Sequence, residues 1–123
     1  MTLLRPPLST PERLQIILSV LADKKADKVT LLDLRQVSYL LCDYFVIATA
    51  ESDRQSQAIV DSIVEKLKQV EGSGTSYRIE GYEVGRWILL DLGDVVVHML
   101  LPEVREYYKL EELWGDAIVV SHA

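Results

Sequence analysis

Residues 85–102 read Gly85-Arg-Trp-Ile-Leu-Leu-Asp-Leu-Gly-Asp-Val-Val-Val-His-Met-Leu-Leu-Pro102, two apolar runs, Trp87–Leu92 and Val95–Leu101, parted only by Gly93-Asp94. Both runs are short, rich in branched residues and bounded by Gly or Pro, so the spacing predicts two strands rather than one helix. A two-residue link that begins with Gly suits a tight hairpin, because Gly takes the positive φ needed at its first central position. Near-continuous hydrophobicity predicts that both faces of this hairpin are largely covered, as for central strands of a layered α/β domain. The few polar residues inside it, Asp91, Asp94 and His98, are therefore the first places to look for function.

Upstream, Tyr77–Glu80 reads as a short strand, Gly81–Gly85 as a loop and Gly72–Ser76 as a flexible turn. Before the turn, Ala58, Ile59, Ile63, Leu67 and Val70 form one apolar stripe, which predicts a helix over Arg54–Val70 capped by Ser52. Tyr44–Ala50 has strong strand propensity, and Val29–Val37 reads as a strand interrupted by Asp33 and Arg35. Ser9-Thr10-Pro11-Glu12 is a helix start, with a hydroxyl cap, Pro in the first turn and an acid at the positive end of the dipole. Leu14, Ile17, Leu18 and Leu21 then share a face to about Ala22. Downstream, Glu103–Tyr108 can form a short helix, and Leu110–Trp114 a further turn. The expectation is a single α/β domain: residues 1–10 a flexible lead-in, 11–116 a mixed sheet of about five strands flanked by helices, and 117–123 a C-terminal tail.

The chain has 123 residues, 49% hydrophobic and 26% charged, which suits one globular domain with a real core. Its formal charge of −6 argues against broad binding to a phosphate backbone and permits steering toward a basic protein partner. No apolar run approaches the roughly 20 residues needed to span a bilayer, and the first residues lack a signal-length apolar core. A lone Cys42 fits a reducing compartment, so a cytoplasmic location is expected.

The only histidines are His98 and His122, and neither pairs with Cys42 at a metal-ligand spacing, so no structural zinc site is expected. Cys42 precedes a buried-looking strand without any cue for activation. Gly72-Ser73-Gly74 follows a helix and lacks the Lys-Ser/Thr of a phosphate loop. Asp91 and Asp94 are the most enzyme-like pair, able in principle to hold Mg²⁺, yet Asp in a turn commonly serves its own backbone. His98 reads first as an imidazole satisfied within the sheet. Along its strand Trp87 shares a face with Leu89 and Asp91, and that face suits core packing and a recognition patch equally well. Tyr107, Tyr108 and Trp114 are expected to pack back on the sheet.

Taken together, Cys42-Asp-Tyr-Phe-Val-Ile-Ala-Thr-Ala-Glu-Ser-Asp-Arg-Gln55, Glu80-Gly81, Trp87–Met99 and Arg105-Glu-Tyr-Tyr-Lys-Leu-Glu-Glu-Leu-Trp114 resemble the ribosomal silencing factor (RsfS, or Iojap-like) family over residues 11–116. The resemblance implies a fold similar to nucleotidyltransferases without their catalytic carboxylates, hence no catalytic residues, metal or cofactor. It also implies binding to the large ribosomal subunit through its universal protein L-fourteen, steric blockage of subunit joining and repression of translation. Members can be homodimers when free, and no direct sequence-specific contact with nucleic acid or with membranes is implied. By the same resemblance Trp87 is the anchor of the contact, with Leu89, Asp91, His98, Met99 and Leu100 in the same motif. Two other readings remain: a Mg²⁺-dependent nucleotidyltransferase using Asp91 and Asp94, and a dimeric adaptor for another protein.

Overall fold

The computed structural model describes residues 8–36, 42–72, 75–109 and 118–122. Helix α1 (Thr10–Asp23) starts at a reciprocal cap: Ser9 Oγ accepts from the Glu12 N–H, and the Glu12 carboxylate accepts from the Ser9 N–H. Strand β1 (Asp27–Asp33) follows, then β2 (Tyr44–Thr49). Helix α2 (Asp53–Glu71) is capped by Ser52, whose Oγ accepts from the Gln55 N–H at 3.1 Å. The Gln55 side chain, which capping by Ser52 leaves unexplained, accepts from the Glu51 N–H and so tightens the entry turn. Strands β3 (Arg78–Glu80), β4 (Trp87–Asp91) and β5 (Val95–Leu100) come next, then α3 (Pro102–Tyr108) and β6 (Ile118–His122).

The expected hairpin is present: β4 and β5 pair antiparallel, and Gly93 takes φ +90° in the link. The six strands lie in the order β3-β4-β5-β2-β1-β6, with β2 and β5 parallel at the centre and every other neighbouring pair antiparallel. The mixed α/β architecture is as expected, with one strand more. Part of the segment expected as a tail, 118–122, completes the sheet beside β1. Its apolar run, Ile118-Val119-Val120, is only three residues long, too short to distinguish a strand from a loose end without the partner edge. The crossover through α2 also differs in detail: β3 runs parallel to β2 but lies at the far edge, because β4 and β5 fold back to fill the gap. The lead-in 1–7, the turn residues 73–74 and the 110–114 segment with Leu110, Leu113 and Trp114 lie outside the described residues.

α1 and α2 cover one face of the sheet. Ile17, Leu21, Ile59, Ile63 and Leu67 meet Val46, Val97, Ile88 and Met99 there, all at or near zero exposure. The opposite face carries a smaller cluster built on Leu32, Phe45, Ile47, Val96 and Leu100, with Val104 of α3 against it. The expectation that the whole hairpin is covered on both sides holds for β5, where every residue is buried, but not for β4. In β4 only Ile88 and Leu90 are buried, while Trp87, Leu89 and Asp91 on the other face stay partly open.

A charged clamp closes the end of the helix layer. Arg13 Nε donates to Glu71 Oε1 at 2.8 Å and its Nη1 donates to Asp94 Oδ1 at 2.9 Å, which joins α1, the end of α2 and the hairpin link. Glu71 has a side chain only 3% exposed and also accepts from the Thr75 hydroxyl. Thr10 adds its hydroxyl to Asp94 Oδ2 at 2.6 Å. Removing one partner of such a pair leaves an uncompensated charge, which costs far more than the pair itself contributes. We expect Arg13→Leu to lower stability by about 3 kcal/mol, and Arg13→Leu with Glu71→Leu to recover most of it. Urea unfolding of the two variants checks this.

Candidate functional site

Every second residue of β4 points away from the helices. On that outer face Trp87, Leu89 and Asp91 form a row along the strand, and β5 sets Leu100, His98 and Val96 directly opposite them. Phe45 and Ile47 of β2 continue the same face inward. Residues nearer the centre are buried by their neighbours and by α3, so the open part of this face is the β4 row, α3 and the edge strand β3, whose exposed Glu80 and Arg78 stand opposite Leu89 and Asp91.

Trp87 is the hub of this surface. Its indole reaches diagonally across the ladder, and Nε1–H donates to His98 Nδ1 at 3.2 Å. On its other side the ring meets Tyr108 with centroids 4.9 Å apart, and Tyr107 packs on Tyr108 at 5.0 Å. Tyr107 is 79% and Tyr108 48% exposed, so the expected packing back onto the sheet is met through Trp87 by Tyr108 alone. The two tyrosines extend an aromatic ladder from the sheet to solvent.

α3 holds its place through Arg105, which the sequence presents only as the first residue of a motif. Its guanidinium donates to Thr49 Oγ1 and Thr30 Oγ1, each at 3.0 Å, and to the Lys28 carbonyl. An arginine three positions before a tyrosine on a short helix is a signal that Arg105 and Tyr108 share a face, but only the sheet shows what they face. The exposed ion pair between Arg86 and Glu103 at 3.5 Å adds little by comparison.

His98 is 5% exposed, with the Phe45 ring edge-on at 4.7 Å. Accepting from the indole requires a lone pair on Nδ1, which puts the imidazole proton on Nε2. Nε2 is itself buried and has no partner among the described residues. Burial pushes the imidazole from its ordinary value near 6.5 down to about 4, so the ring is neutral at physiological pH.

Of the remaining residues in the motif, Leu89 and Asp91 lie in the row, and Leu100 lies beneath it with no exposure. Met99 is set apart: it points into the helix-side core, opposed to Ile88 and fully buried. Asp91 and Asp94 do not converge. Asp91 Oδ1 accepts from the Gly93 N–H at 2.8 Å, as an Asp beside a turn does, while Asp94 is engaged by Arg13 and Thr10. Among the described residues no group of three or more His, Cys, Asp or Glu is placed to hold a metal ion. The Cys42 thiol is pushed up by burial, the opposite of nucleophile activation.

The loop 81–86 is firmly docked. Gln57 Nε2 donates to the Tyr82 carbonyl at 2.8 Å, and the Tyr82 hydroxyl donates to Asp61 at 2.7 Å. Gly85 has φ +77°, and a Cβ there would stand 2.7 Å from that of Asp53. The loop thus delivers Arg86 and Trp87 to a defined place at the head of β4.

A family model described as "Ribosomal silencing factor during starvation" matches residues 7–123. The chain is 44% identical over 114 residues to a ribosomal silencing factor of Halalkalibacterium halodurans, covering 93% of this chain and 95% of that relative. It is 43% identical to the ribosomal silencing factor of Bacillus subtilis over 105 residues, covering 85% and 86%. A crystal structure of a protein from Chromobacterium violaceum superposes with a TM-score of 0.80 at 38% identity, covering 88% of each chain.

The buried imidazole makes stability depend on pH. Its folded value lies below its unfolded one, so its contribution is complete above about 6.5 and is lost as pH falls toward 4, where only the unfolded chain takes up the proton. Between pH 7 and 4.5 the protein should lose roughly 2 kcal/mol more unfolding free energy than its His98→Phe variant. Paired urea titrations at the two pH values test this difference, and equal losses would contradict it.

Proposed function

The chain belongs to the ribosomal silencing factor family, RsfS, and on that premise we propose that it is a non-enzymatic repressor of translation acting in the cytoplasm. In this reading it docks on the large ribosomal subunit through the universal protein L-fourteen, and its bulk keeps the small subunit from joining. The observation that carries the docking surface is the open row on β4, with Trp87 at its head. A tryptophan partly exposed on a rigid strand offers a large apolar contact that needs little ordering on binding. Leu89 extends that contact, and Asp91 places a carboxylate at its end, suited to Lys or Arg of a basic ribosomal protein. The net charge of −6 favours encounter with such a partner. His98 and Leu100 support the row from below. Met99 acts only through the core.

The nucleotidyltransferase alternative finds no support in the carboxylates, because Asp94 is already held by the Arg13 clamp. Sedimentation with isolated subunits tests the proposal. The protein should co-migrate with the large subunit alone and lower the yield of joined ribosomes. Trp87→Ala should weaken that binding by about 2 kcal/mol, roughly thirtyfold, while unfolding stays cooperative. Co-migration with neither subunit would overturn the reading.

A further inference from the structure

An imidazole is an expensive residue for its position. β5 is buried along its whole length, and every other residue in it is apolar. A branched aliphatic or Phe at position 98 would avoid the desolvation of two ring nitrogens, one of which finds no partner among the described residues. What the His98 side chain does have is a single described hydrogen bond, and it goes to Trp87, a large aromatic side chain on the face that remains partly open.

That bond does something packing alone does not. Trp87 opens its strand, and an indole turns about two side-chain torsions. On one side Tyr108 bounds the ring at 4.9 Å with the planes tilted by 53°. Tyr108 is in turn held by α3, whose Arg105 is bonded to β1 and β2. A ring contact of this kind restricts tilt but leaves the indole free to flip edge for edge. The Nε1–H to Nδ1 bond has one donor and one acceptor, so it selects which edge faces inward.

We propose that His98 is a positioning residue of the docking surface: as the Nε2–H tautomer it accepts the Trp87 indole N–H, and so holds the ring in the orientation presented to the partner. The inference rests on the reading of Trp87 as the docking anchor. It adds that the anchor is set before the partner arrives, which spares the encounter the ordering of a large side chain. It also explains the polar residue: the stability lost in β5 is exchanged for a fixed surface.

The test combines one measurement on the unaltered protein with two variants. In ¹⁵N-labelled protein His98 should show the Nε2–H tautomer, and the Trp87 indole proton should exchange with solvent more slowly than that of an unbonded indole. His98→Phe removes the acceptor while keeping a ring in the space, and it should fold with an equal or higher melting temperature. It should bind isolated large subunits about fivefold to tenfold more weakly. His98→Asn, whose side-chain oxygen stands close to the place of Nδ1, should restore binding to within about threefold of the original. Trp87→Ala is measured beside them. If Trp87→Ala weakens binding and His98→Phe does not, the anchor docks unaided and the positioning role is overturned while the proposed function stands. Weakening by neither would remove the docking reading and this inference with it. Equal weakening in His98→Phe and a well-folded His98→Asn would reduce His98 to a packing role. Free exchange of the Trp87 indole proton in the unaltered protein would overturn the proposal whatever the variants do.

Discussion

The parallel pairing of β2 with β5 is the constraint on which the rest of the molecule depends. Tyr44 stands beside Val95 and Thr49 beside Leu100, in unbroken register through the middle of the sheet. Parallel neighbours cannot be joined by a short turn, so the chain must leave β2, cross one face as α2, and return from the far edge through β3 and β4. That route lays α2 beside α1 on one face and leaves the other to α3. It also sets β4 one place from the edge, where cover runs out. The open row on β4 follows from the topology as directly as the buried centre does.

Two polar groups inside this frame are handled differently. The nearly buried Glu71 carboxylate accepts from Arg13, the Thr75 hydroxyl and the Leu8 N–H, and the Arg13 clamp ties together elements 58 and 81 residues apart in the chain. It is a closed network, whose members need one another more than the fold needs their charges. His98 belongs to a half-closed one. One nitrogen is matched and the other is not, which is the pattern of a group kept for what it holds rather than for the stability it adds. The neutral imidazole is also a consequence of the same burial that makes it costly.

Much of the architecture was legible in residue pattern. The helix caps at Ser9 and Ser52, the stripe on α2, the Gly93 turn and the strand at Tyr44–Thr49 all rest on chemistry local to a few neighbouring residues. Non-local pairings were less so. β6 needs the β1 edge to become a strand, and the placement of β3 three strands from β2 depends on a later hairpin filling the gap. At the site, alternation put Trp87, Leu89 and Asp91 together, but it could not separate core from surface, because cover depends on what another segment places above the face. Met99 entered the motif by adjacency in sequence, and alternation sends it to the opposite side of the sheet. The role of Arg105 is not written in its own motif, because its partners, Thr30 and Thr49, are distant in the chain.

By itself, then, the sequence determined the helices, the strands other than β6, their order, the hairpin turn and the family resemblance, because each is written in local periodicity, turn chemistry or motif. It also carried the identity of the candidate anchor. The tertiary structure alone decided which face of β4 stays open, that Asp94 serves a clamp rather than a metal, and that His98 and Tyr108 meet the Trp87 ring from two sides. Those outcomes are set by contacts between residues far apart in the chain, whose distances come into being only when the parallel strands pair and the helices settle against them.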